Sequence, residues 1–163
     1  MANPHPTASI AGHPIHPMLI PFPIAFFVAV LVCDIGYAMT GVPSWATDAI
    51  WLLGAGLVMA ALAALAGLTD VLGDARIRAL RDVWWHAGGN VLVVAIQCVS
   101  WYLRYSQGSS VVVPTGLVLS LIVVGLLVFT GWKGWNMVYL HRVGVADEPA
   151  ETQLASPSHR RAA

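Results

Sequence analysis

Four long apolar segments constrain this chain more than any other feature of its sequence. They cover about 18–39, 49–70, 84–104 and 111–131. A bilayer hydrocarbon core of about 30 Å needs about 20 helical residues at about 1.5 Å each, and every segment meets that length. None of them alternates polar and apolar residues as the strands of a membrane barrel do. The sequence therefore predicts an all-α integral membrane protein, and its short connections favour an antiparallel four-helix bundle.

The composition agrees with a membrane protein and narrows the possible functions. Hydrophobic residues make up 58% of the chain and charged residues 10%, whereas about a quarter of the residues of soluble domains are charged. The net charge is zero, so no basic field favours a nucleic-acid partner. A nucleophile beside a base, a phosphate-binding glycine loop and paired carboxylates are all missing from the sequence. We expect contact with the lipid bilayer, and enzyme activity stays open with its absence favoured.

The basic residues predict the orientation and the domain limits. One side of the membrane receives seven of them: Arg76, Arg78, Arg81, Lys133, Arg142, Arg160 and Arg161. The other side receives only Arg104, so the positive-inside rule places both termini in the cytoplasm. We expect a cytoplasmic segment at 1–17, a transmembrane domain at 18–143 and a disordered polar tail at 144–163. The first apolar segment is too long for a signal peptide and no basic residue precedes it, so we expect it to be retained.

Five potential ligands reach the cytoplasmic end from four different helices. His13 and His16 precede the first segment, Asp70 ends the second, His86 begins the third and His141 follows the fourth. Imidazoles from several helices of a bundle can hold haem iron or another transition metal. We therefore predict haem ligands among the four histidines, or metal ligands among His13, His16, His86 and Asp70.

The spacing of His13 and His16 limits how they can act together. Each precedes a proline, which disfavours the α conformation, and in a polyproline II segment they would lie about 9 Å apart. One of the two is then a better candidate ligand than both, although a turn through Pro14 could join them. The alternative is structural, with Pro17 in the first turn of a helix. His141 needs a bent segment, because a straight helix would carry it about 15 Å beyond Gly131.

Polar residues inside the apolar segments predict contacts between helices. At about 100° per residue, Asn90 lies about 40° and Gln97 about 20° from His86 around the helix, so all three share one face. We expect Asn90 and Gln97 to be structural hydrogen-bonding residues. Asp34 reaches a depth similar to that of Gln97, which predicts a structural hydrogen bond between them. A proton path through Asp34 is the alternative.

Four motifs give the chain a family resemblance. They are GHPIHPMLIPFPIA from Gly12, GLTD ending at Asp70, WWHAGGN ending at Asn90, and HRVGV ending at Val145. Together they resemble a bacterial family of small four-span membrane proteins known only as a domain of unknown function. Members of that family are sometimes fused to Rieske-type redox modules. The resemblance implies a bacterial inner (plasma) membrane location and an electron-transfer setting.

Three hypotheses of different classes follow, and we favour the first. The first is a haem b or transition-metal protein that exchanges electrons with a redox partner protein. In it, Asp70 orients a ligand imidazole, and Arg78, Arg81 or Arg142 neutralise haem propionates. The second is a structural or interaction subunit, which includes the possibility of a homo-oligomer.

The third hypothesis is a small proton-coupled transporter or channel that uses Asp34, Asn90 and Gln97. It is the weakest, because the sequence shows neither an inverted repeat nor a pair of broken helices.

Overall fold

Long helices dominate the computed structural model, which describes residues 3–147. The helices are α1 (Ile15–Leu19), α2 (Pro21–Thr40), α3 (Pro43–Gly73), α4 (Ala75–Arg78), α5 (Arg81–Gln107) and α6 (Leu117–Tyr139). A small hairpin precedes them, in which β1 (Ser9–Ile10) pairs antiparallel with β2 (His13–Pro14). Apart from this hairpin, the regular structure is helical, which confirms the predicted all-α class.

Three helical stretches are long and apolar enough to cross a membrane, judged by length and composition. They cover 15–40, 43–73 and 81–139, with 26, 31 and 59 residues. A straight helix of the third length would extend about 90 Å, three times the hydrocarbon core. The third stretch is interrupted at Val113, whose backbone is extended with φ −120° and ψ 125°. This break allows α6 to pack back along α5, so that His86 near the start of α5 meets Thr130 in the middle of α6.

The core-facing positions of α5 recur at spacings of four and three residues. They are His86, Asn90, Val93, Gln97, Ser100 and Arg104. Such spacing is typical of helices that pack at small crossing angles. Helix α2 packs mainly on α3, and α5 mainly on α6, while α2 also contacts α6 and α3 also contacts α5. One apolar core lies among these four helices, formed chiefly by Phe27, Val30, Leu53, Val93 and Val123.

The prolines predict that His13 and His16 do not form a helical pair, and the structure confirms this. His16 lies in α1 together with Pro17. Proline is tolerated there because the first turn of a helix has backbone N–H groups without helical acceptors. His13 is different, since it belongs to β2. Between β1 and β2 the chain reverses at Ala11 and Gly12, with φ of 49° and 79°.

The amino-terminal segment is held against the rest of the fold by specific hydrogen bonds. The Asn3 side chain donates to the Val145 carbonyl oxygen at 3.0 Å, and the Gly144 N–H donates to the Pro4 carbonyl oxygen at 3.0 Å. Residues 144–147 therefore pack on this segment. The rest of the predicted tail, 148–163, lies outside the described residues.

Candidate functional site

His16 and His86 are the two predicted ligands that the structure brings together. Their ring centroids lie 6.0 Å apart, with an angle of 83° between the ring planes. Both side chains are half-buried. His16 comes from α1 and His86 from the start of α5, so the pair joins two separate parts of the chain.

Each imidazole is fixed by a hydrogen bond to a backbone carbonyl group of a third or fourth helix. His16 Nδ1 donates to the Ala63 oxygen of α3 at 2.8 Å, and His86 Nδ1 donates to the Thr130 oxygen of α6 at 2.9 Å. A carbonyl oxygen can only accept, so the proton of each neutral ring is on Nδ1 and Nε2 is an acceptor. Within the described residues, neither Nε2 has a hydrogen-bond partner. Histidines that ligate metals have this arrangement, because a carbonyl group orients the ring through its other nitrogen.

Two glycines make room for the rings. Gly67 and Gly134 each follow the accepting carbonyl residue by four positions in their helices. A Cβ at Gly67 would lie 3.0 Å from His16 Nδ1, and a Cβ at Gly134 would lie 3.3 Å from His86 Cε1. A side chain at either position would press on the imidazole. Sequence analysis did not identify this role, because a glycine four residues after a carbonyl group gives no signal until its neighbour is known.

Asn90 and Thr130 connect His86 to its surroundings. The Asn90 side chain donates to the His86 carbonyl oxygen at 2.8 Å, and Thr130 Oγ1 donates to the Asn90 side-chain oxygen at 3.4 Å. Thr130 is therefore in contact with both residues, since its own carbonyl oxygen accepts from the His86 ring. These bonds link α5 to α6 beside the histidine pair.

Asp70 and His13 lie apart from the pair. Asp70 is nearly buried, and its Oδ1 accepts a hydrogen bond from the Ala8 N–H at 2.7 Å. It thus holds the amino-terminal segment onto the end of α3. His13 is exposed on the hairpin, with Nδ1 3.0 Å from the Ala11 carbonyl oxygen.

The residues among which metal ligands were predicted, His13, His16, His86 and Asp70, do not come together as one group. In the part of the chain that the structure describes, no group of three or more His, Cys, Asp and Glu side chains could hold a metal ion. The reason is that β2 directs His13 outward while Asp70 is used by a backbone amide.

His141 and the predicted arginines surround the same end of the molecule without joining the rings. Helix α6 continues to Tyr139, and the following turn places His141 Nε2 3.5 Å from Asp82 Oδ2. Arg78 is exposed at the end of α4, and Arg142 is exposed in the turn after α6, with φ of 54°. Arg81 begins α5 and lines an open cleft.

A second polar cluster lies near the other end of the bundle, around Asp34 and Arg104. Arg104 Nη1 and Nη2 donate to Asp34 Oδ1 and Oδ2, each at 2.8 Å, and Arg104 Nε donates to Ser100 Oγ at 3.2 Å. Ser120 Oγ donates to Asp34 Oδ2 at 2.6 Å. Asp34 is 0% and Arg104 1% exposed, so this is a bidentate ion pair inside the protein.

The predicted hydrogen bond between Asp34 and Gln97 is wrong. Gln97 is fully buried, and its amide oxygen and nitrogen have no hydrogen-bond partner among residues 3–147. The guanidinium of Arg104 offers two charged donors that satisfy both carboxylate oxygens, which a single neutral amide cannot do. The sequence contained a clue, since a carboxylate within an apolar segment needs a partner and Arg104 is the basic residue predicted on that side.

Comparison with known proteins gives one family. No curated protein and no solved structure matches the chain. The model of a family described as "Predicted membrane protein (DUF2231)" matches residues 12–147. The match begins at the reversal before His13, covers the four long helices and ends with the described residues. This confirms the resemblance to a family of unknown function, and the chain belongs to this family of predicted membrane proteins.

Proposed function

We propose that this protein is a multi-pass membrane protein that binds haem b through His16 and His86 and exchanges electrons with a redox partner protein. The observation that supports this proposal is the state of the two imidazoles. Each Nδ1 donates to a carbonyl oxygen, each Nε2 keeps an unshared electron pair, and the centroids of the two half-buried rings lie 6.0 Å apart.

Two such rings cannot hydrogen-bond to each other, because both Nε2 atoms are acceptors when the rings are neutral. A metal ion that accepts one electron pair from each Nε2 atom would satisfy both atoms. His16 and His86 would hold the haem iron, which would supply one-electron redox chemistry when bound. The role of His16 and His86 is to present Nε2, and the carbonyl groups of Ala63 and Thr130 hold the rings in position.

We further propose that α2, α3, α5 and α6 each cross the bilayer once, as an antiparallel bundle with both termini in the cytoplasm. The polar cluster at Arg104 and the histidine pair lie near opposite ends of α5. The basic residues Arg78, Arg81 and Lys133 lie at the histidine end, which the positive-inside rule assigns to the cytoplasm. Electron exchange would then take place with a partner at the cytoplasmic surface of a bacterial inner membrane.

A structural role is the second candidate, and the same hydrogen bonds favour it. The bond from His16 ties α1 to α3, and the bond from His86 ties α5 to α6. Side-chain bonds between membrane helices stabilise by about 0.6 kcal/mol on average. Such a structural role does not use either Nε2 atom, so it does not explain why the two rings lie together.

Transport is not supported by the arrangement of the core. Phe27, Leu53, Val93 and Val123 are each at most 2% exposed and lie in one cluster. Along α5, Val93 separates Asn90 from Gln97. In the described part of the chain, this apolar layer divides the histidine end from the Asp34 cluster.

Visible spectroscopy of detergent-purified protein from haem-replete cells tests the proposal. We expect a Soret band in the wild-type protein, and its loss or shift in His16→Ala and in His86→Ala. The variant His13→Ala is the matched control, because His13 is exposed and lies outside the pair, so its spectrum should equal that of the wild type. Circular dichroism checks that each variant is folded.

A colourless wild-type protein from such cells would refute the haem proposal and leave the structural candidate. Equal spectra for His13→Ala and His86→Ala would also refute it. If a metal without haem were found by elemental analysis, the two histidines would remain its ligands only if both alanine variants lost it.

A further inference from the structure

An open cleft with a volume of about 480 Å³ lies between the start of α5 and the end of α6. The charged and aromatic residues that line it are Arg81, Asp82, Trp85, Lys133 and His141. None of the bonds of the histidine pair involves these residues, so the proposed haem site does not account for the cleft.

The charges of the cleft are organised around Asp82. Its Oδ1 accepts from Lys133 Nζ at 3.0 Å, and its Oδ2 lies 3.3 Å from the Asn136 side-chain nitrogen and 3.5 Å from His141 Nε2. The carboxylate thereby holds Lys133 at the cleft and uses one of its three ammonium donors. Arg81 is exposed and makes no hydrogen bond or ion pair within the described residues.

The cleft therefore has spare positive charge. Two cationic side chains, Arg81 and Lys133, face one carboxylate, Asp82, so one positive charge is left over when His141 is neutral. An anionic group is the ligand that this field favours.

An apolar surface continues directly from the charged part. Trp85 packs edge-to-face on Phe129, with ring centroids 6.4 Å apart, and Lys133 Nζ lies 6.0 Å from the centre of the Phe129 ring. Trp84 and Trp132 are 57% and 68% exposed at the same end of the bundle. Exposed tryptophans are typical of the headgroup layer of a bilayer.

We propose that this cleft binds the phosphate group of an anionic phospholipid, through Arg81 and Lys133, with the lipid chains along Trp85 and Phe129. A lipid fits better than soluble phosphate because the charged and apolar parts are continuous. Basic pockets between transmembrane helices on the cytoplasmic side are known to bind anionic headgroups.

Native mass spectrometry of the full chain, with measured amounts of phosphatidylglycerol or phosphatidylcholine, tests this proposal. We expect one phosphatidylglycerol to bind selectively to the wild-type protein. Arg81→Gln should weaken that binding about fivefold, and Arg81→Gln/Lys133→Gln should do so about fivefold more, from the interaction of each basic residue with anionic lipid. Arg78→Gln is the matched control, because Arg78 is exposed near the cleft without lining it.

Arg81→Gln changes an exposed side chain that makes no hydrogen bond or ion pair within residues 3–147, so the test does not depend on a variant with a damaged fold. Equal binding of phosphatidylglycerol by Arg81→Gln and Arg78→Gln would overturn the proposal. Equal binding of phosphatidylcholine and phosphatidylglycerol by the wild type would overturn it too. Displacement of the lipid by millimolar inorganic phosphate would assign the cleft to free phosphate and overturn the lipid assignment.

Discussion

The buried ion pair between Asp34 and Arg104 gives the sharpest prediction about stability. The change is Asp34→Asn, which keeps the shape of the side chain and removes its charge. Both Arg104 bonds to the carboxylate are 2.8 Å long, and the two side chains are at most 1% exposed. The asparagine nitrogen would face one of the guanidinium donors, and the Arg104 charge would stay inside the protein without its partner.

Two independent estimates give the magnitude. Removing one partner of a buried ion pair costs about 3–5 kcal/mol, because an uncompensated charge remains. Two hydrogen bonds to charged groups, at about 1.5–3 kcal/mol each, give about 3–6 kcal/mol. We therefore expect Asp34→Asn to lower the free energy of unfolding by about 4 kcal/mol, a large part of the usual total of about 5–15 kcal/mol.

Equilibrium unfolding in mixed detergent micelles measures this loss, and a double-mutant cycle identifies its cause. Asp34→Leu and Arg104→Met should each be strongly destabilising, whereas the two changes together should cost much less than their sum, because no buried charge remains. Asp74→Asn is the control. Asp74 forms an ion pair with Arg76 at 2.7 Å near the surface, and removing its charge should lower the unfolding midpoint much less than Asp34→Asn does, because exposed ion pairs contribute little.

Additive effects of Asp34→Leu and Arg104→Met would refute the reasoning, because they would show that the two side chains do not depend on each other. A decrease in the free energy of unfolding of less than about 1 kcal/mol for Asp34→Asn would also refute it, because exposed ion pairs contribute that little.

Three further predictions concern single residues. Gln97→Leu should raise the free energy of unfolding by about 1–3 kcal/mol, because it removes a buried amide that has no hydrogen-bond partner in the described part of the chain. A lower free energy of unfolding in the same assay would show that Gln97 is bonded to an internal water. Gly56→Ala should lower the free energy of unfolding by about 1–3 kcal/mol, because the alanine Cβ would collide with the Phe27 ring. The control is Gly125→Ala, which should not be destabilising because the space around Gly125 is open. The Asp74 pKa is lowered from 3.8 to about 2 by hydrogen bonds from the Arg76 side chain and backbone. Asp74 thus stabilises the fold above pH 3.8 and loses this effect as the pH falls through about 2. Carboxyl NMR should show the low pKa and its rise in Arg76→Gln, and a wild-type value near 3.8 would contradict this.

The predicted helices follow from local properties of the sequence. Apolar segments of about twenty residues need internally satisfied backbone, which a helix provides with contacts four residues apart. Exact ends were less predictable. Helix α3 begins at Pro43, earlier than the predicted 49, because a proline in the first turn starts a helix outside the apolar segment. Helix α6 begins at Leu117 after the turn at Val113, and it continues past Gly131 to Tyr139.

The candidate site was predicted in part. The position of His86 at the start of an apolar segment was sufficient to select it. The choice between His13 and His16 required the hairpin reversal at Ala11 and Gly12, and also the Ala63 carbonyl group, which lies 47 residues from His16. Proline rules describe one residue and its neighbour, so they could not select between the two.

The sequence by itself determined the apolar helices, the charged ends and the collection of histidines at one end, because each depends on residue type and on spacing within one segment. Only the tertiary structure decided which side chains bond to each other. Arg104 looked like an isolated residue on the outer side, yet the packing of α2, α5 and α6 joins it to Asp34, 70 positions away, and to Ser120 through that carboxylate. Loss of one partner from such a pair is costly only where water is excluded on every side. That exclusion is a property of the packed helices together.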